Sequence, residues 1–76
     1  MAQPRDMLDE MFSDAQRKLW EAWGLLNAAR LEAEQQGFPG TAERCEETIA
    51  ALAQVLDTRL PRARKTYHME HRSEAK

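Results

Sequence analysis

Between Leu8 and Ala33 the chain places Leu8, Phe12, Ala15, Leu19, Ala22, Leu26, Ala29 and Ala33 at alternating steps of four and three. Only an α-helix gathers residues so spaced on one side. A second seam, Ala42, Cys45, Ile49, Leu52, Ala53, Leu56 and Leu60, repeats the pattern with Glu43, Arg44, Glu46, Glu47, Gln54 and Asp57 outside it. Between the seams, Gln36-Gly37-Phe38-Pro39 reads as a stop: a left-handed Gly37, an apolar contact from Phe38, and a proline that ends the helix. Thr41 offers an N-cap for the second helix, with Glu43 in its first turn. So short a connection makes the helices antiparallel. The pattern therefore predicts an all-α antiparallel hairpin.

At the N-terminus Pro4 suits a first helical turn, and Asp6, Asp9 and Glu10 complement its dipole. Ser13 and Gln16 could instead cap a later start, but the seam crosses Ser13 without changing phase, which favours one rod. Helix 1 is thus expected over about 4–36 and helix 2 over about 42–59, where Leu60-Pro61 stops or kinks it. With Leu19 at zero and about 100° per residue, Leu8, Phe12, Ala15, Ala22, Trp23 and Leu26 share the face. Met11 and Ala29 sit at its near edge, and Met7 and Leu25 widen it. Trp20, Gly24 and Leu31 form a separate stripe. A helix with two apolar faces has two things to touch.

A chain of 76 residues with one cysteine cannot close an internal disulfide. Below roughly 70–80 residues a single core seldom supplies more than about 3–5 kcal/mol without a disulfide, a metal or a partner chain. No structural-metal spacing is present, so the staple expected is a second copy: a homodimer of two hairpins in a four-helix bundle. Leu8, Phe12, Leu19, Trp23, Leu26, Ile49, Leu52 and Leu56 should form the core and dimer interface. Helix 1 also outruns helix 2, so its first turns need cover from the tail, a second subunit or a target. Composition, at 42% hydrophobic and 32% charged, suits a soluble helical protein. There is no apolar run of about 20 residues to span a membrane. MAQPRDMLDEMF is too acidic for a signal peptide, and a lone cysteine fits a reducing compartment, so a cytoplasmic location is expected.

The net charge of −2 conceals an asymmetry: residues 1–58 carry five basic and eleven acidic side chains, residues 59–76 six basic and two acidic. The basic tail, 61–76, is expected as a short helix or without fixed structure. Its Arg62, Arg64, Lys65 and Tyr67 are the candidates for nucleic-acid contact, the cations for phosphates and the ring for stacking. The acidic body opposes that use. His68 and His71 lack a third ligand, no HExxH or phosphate-loop pattern occurs, and Ser13 and Ser73 lack triad partners nearby. No enzyme activity and no cofactor are expected.

The segments LDEMFSDAQRKLWEAWGLL, QQGFPGT and ETIAALAQVLDTRL together resemble, in layout, small helical-hairpin accessory proteins of temperate phages. Some of these inhibit host regulators, as quorum-sensing anti-activators do. The resemblance implies a cytoplasmic protein that docks a helical face on a larger host protein. Met7, Met11, Trp20 and Leu31 are the candidate contact residues, tryptophan because it dominates binding hot spots and methionine because it adapts. Trp20 could alternatively pack across the dimer. The rival expectation is a nucleic-acid-binding regulator working through the tail.

Overall fold

The computed structural model describes residues 6–74, with side chains through His71. Three α-helices follow in order: α1, Met7–Gln35; α2, Pro39–Gln54; and α3, Leu60–Glu74, joined to α2 by a π-turn, Val55–Arg59. α1 is one rod through Ser13. Asp6 caps it, its side chain accepting from the Asp9 N–H at 3.1 Å, and the expected start at Pro4 lies outside the described residues.

α1 ends on a Schellman motif. The Phe38 N–H donates to the Ala33 carbonyl at 2.8 Å and the Gly37 N–H to Glu34 at 3.2 Å. Gly37 makes this possible by taking φ +83°, which a side chain would resist. α2 begins earlier than Thr41 suggested. Pro39 occupies the first turn, where its missing N–H costs nothing, and Phe38 stands at the cap without a side-chain hydrogen bond.

Pro61 does not stop the chain. Its ring would collide with the Asp57 carbonyl in a regular helix, and it has no N–H to give. Widening the turn solves both problems: the Leu60 N–H reaches back five residues to Val55, and helical geometry resumes. The tail is therefore helical through Glu74 as α3, in continuity with α2.

α2, the π-turn and α3 form a helical run of roughly 54 Å beside an α1 of roughly 43 Å. The result is a slab of 59 × 24 × 11 Å, one helix thick. Such a layer has a seam but little interior. Among the described residues only Ala33, Ala42 and Leu56 are buried, at 7%, 5% and 6% exposure, and no large side chain is fully enclosed. Phe12, Leu19, Trp23, Leu26, Ile49 and Leu52 line the seam half-buried. Leu8, expected in the core or dimer interface, is 42% exposed in the single chain, where α3 meets α1 through polar groups. Ala29 also faces outward, since a heptad seam drifts about 20° per repeat around a straight helix. The accessible surface is 6329 Å², against about 4,800 Å² for a compact monomer of this mass.

Candidate interaction surface

The two flanks of α1 that the seam leaves uncovered are the main apolar surfaces. One carries Met7, Met11 and Leu25; the other carries Trp20 and Leu31. All five are exposed, Leu25 at 72% and Trp20 at 48%. Trp20 is held by an edge-to-face contact with half-buried Trp23, centroids 5.6 Å apart. That contact fixes one large amphipathic ring at the surface with little rotamer freedom left to lose on binding. Below it, Asn27 Nδ2 donates to the Trp23 carbonyl at 2.8 Å, and Gly24 leaves open space beside the ring.

Leu25, expected to widen the core face, projects from the slab. Its wheel position, about 120° from Leu19, already held that signal: only a second layer could cover it. Met69 is likewise exposed, and so is Phe38, which the sequence offers as an apolar contact at the helix end but which stands 54% exposed.

At the open end of the slab a polar clasp joins α3 to α1. Arg64 donates from Nε and Nη2 to the two oxygens of Asp9 at 2.9 and 3.0 Å, and from Nη2 to Ser13 Oγ at 3.1 Å. His68 Nε2 lies 2.8 Å from Asp9 Oδ1. The Tyr67 hydroxyl donates to the Asp6 carboxylate at 2.7 Å, while its ring meets Phe12 at 6.2 Å and stacks on His71 at 5.5 Å. The Arg64 hydrogen bonds, then that of His68, hold the Asp9 carboxyl at about 2. The Tyr67 hydrogen bond, then the Asp9 backbone N–H, lowers Asp6. Asp9 raises Arg64 in turn, chiefly by accepting its hydrogen bonds.

The clasp redistributes the residues assigned to nucleic acid. Arg64 and Tyr67 engage α1 carboxylates, whereas Arg62 and Lys65 are exposed on α3. An open groove runs between Leu8 and Phe12 of α1 and Ala63 and Tyr67 of α3, with Arg59, Arg62 and Glu70 at its rim. Nothing in the sequence marked Asp6 and Asp9 as receivers for the tail, because acids in a first helical turn are ordinary dipole partners. Cys45 is a half-buried free thiol. Among the described residues no group of three or more His, Cys, Asp or Glu side chains could hold a metal ion, and no helix is long and apolar enough to cross a membrane.

No protein-family model, curated protein or solved structure matches this chain.

Proposed function

We propose that this protein is a non-enzymatic interaction module: two hairpins dimerise as a four-helix bundle, and the dimer docks a helical face on a larger protein to inhibit or modulate it. One observation carries the reading. A slab one helix thick leaves eight large apolar side chains exposed among the described residues, Met7, Met11, Trp20 and Leu31 included. Patches of that kind mark interaction surfaces, and their desolvation is the driving force for association. Trp20 is the anchor of the docking face, being large, held by Trp23 and accessible. The proposed mode of action is the one that the likeness to phage accessory proteins implies, exercised in a cytoplasm.

Capture from nuclease-treated bacterial lysate, followed by direct titration of the purified captured protein, tests the proposal. Trp20→Ala should weaken binding at least about 30-fold, the ~2 kcal/mol of a hot spot. Unchanged affinity would remove Trp20 from the docking face. A second reading keeps support from Arg62 and Lys65, which α3 presents outward. As a nucleic-acid regulator the protein would bind oligonucleotides, lose affinity steeply with salt, and lose it on Arg62→Ala or Lys65→Ala.

A further inference from the structure

We infer that the two broad faces of the slab have different occupants, and that the face carrying Met11, Leu25, Ala29, Cys45 and Leu52 receives a second copy of this chain. The inference rests on the proposed reading as a self-associating module and assigns its surfaces.

Which residues share a face follows from handedness. Two right-handed helices packed antiparallel turn the corresponding flanks of their seams toward the same side of the layer. Counted at about 100° per residue from Leu19, Met11, Leu25 and Ala29 lie about 80–120° to one side of the α1 seam. Cys45 and Leu52 lie on the matching side of the α2 seam, about 40–60° from Ile49. Trp20 and Leu31 lie about 100–120° the other way, with Glu43, Glu46 and Asp57 on the matching side of the second rod. The clasp obeys the same assignment: Asp9 and Ser13, on the Trp20 flank, meet Arg64 rather than the Arg62–Ala63 side of α3.

Charge then decides which face can meet its own copy. On the Trp20 face stand Glu34, Glu43, Glu46 and Asp57. Arg30 beside them already bonds Glu34 at 3.1 Å and lies 3.9 Å from Glu46, and Arg64 at the open end is engaged by Asp9. A two-fold contact through that face would set carboxylates against carboxylates. On the other face the charged residues include Lys18, whose long stem can carry the ammonium to the rim, and Arg59 at the open end beside Leu8 and Phe12. Between them that face carries methionine, leucine, alanine, threonine and the half-buried Cys45. Ala15, Ala22 and Ala29 alternate there with Met11, Lys18 and Leu25, and the alanines supply holes for the knobs of a facing layer.

Area agrees. A face of 59 × 24 Å exceeds the roughly 800 Å² per partner of a standard interface. The surface in excess of a compact monomer, about 1,500 Å², is more than one such interface would remove. The Trp20 face therefore stays outward in the dimer, ringed by acids and open to a partner of basic character.

Sedimentation equilibrium and cysteine protection on the full chain test this. Wild type should sediment as a dimer, Leu25→Asp as a monomer, and Leu31→Asp still as a dimer. Should Leu25→Asp lose its helicity, labelling decides instead. In a Cys45→Ser background, alkylation of Leu25→Cys should slow at least about fivefold as concentration rises through the dimer dissociation constant, while Leu31→Cys keeps its rate. The reverse protection pattern, dissociation by Leu31→Asp alone, or a wild type monomeric throughout would overturn the assignment. Capture through Trp20 is measured separately, so docking on a larger protein can survive that failure.

Discussion

At the scale of single residues, two positions carry consequences far beyond their size. Gly37 closes the hairpin at φ +83°, with open space where a side chain would stand, so only backbone strain opposes substitution. Gly37→Ala should destabilise by about 1 kcal/mol and lower Tm by about 4–8 °C, measured by circular dichroism. Asp9 is the second. Its carboxyl lies at about 2 instead of 3.8 because Arg64, then His68, donates to the charged form. Above pH 3.8 the carboxylate is ionised whether the chain is folded or not, and its contribution is whole. As pH falls from 3.8 toward about 2 the unfolded chain binds a proton that the folded chain does not, so stability declines; below that it is gone. Acid titration of wild type should therefore be steeper across this window than that of Asp9→Asn.

At the scale of elements, the informative one is the joint at Val55–Arg59. Proline in a helical interior usually breaks the rod, but here one wide turn absorbs it and α3 continues. The wide turn also sets the angular phase of α3, since one extra residue in a turn rotates everything beyond it by about 100°. Pro61→Ala restores the missing N–H and permits an ordinary turn. The expected result is that Arg64 and Tyr67 swing off Asp9 and Asp6 and the Asp9 carboxyl returns toward 3.8, read by carbon-detected NMR titration. A carboxyl still near 2 in that variant would show that the clasp, not the proline, holds the phase.

At the scale of the molecule, a slab whose described residues include three buried small or branched side chains has too little interior to stand far from unfolding. If a second copy covers one face, stability becomes a property of concentration, and Tm should climb as protein is raised from micromolar to millimolar. A Tm independent of concentration would place the whole stability in one hairpin. Leu25→Asp should abolish the dependence without touching the seam.

The amino-acid sequence by itself determined the helices and their pairing. The steps of four and three name the seam residues, and Gly37, Phe38 and Pro39 name the turn, because period and cap chemistry are local properties of a chain. It also separated Trp20 and Leu31 from the seam. The course of the tail was decided only in three dimensions. Pro61 reads locally as a stop, and whether a turn widens instead depends on what the following helix gains. Here the gain comes from Asp6 and Asp9, more than fifty positions away in sequence. Exposure at Leu8 and Leu25 was decided there too, since burial depends on how many layers the fold stacks, and a helical period specifies a direction but not what lies in it.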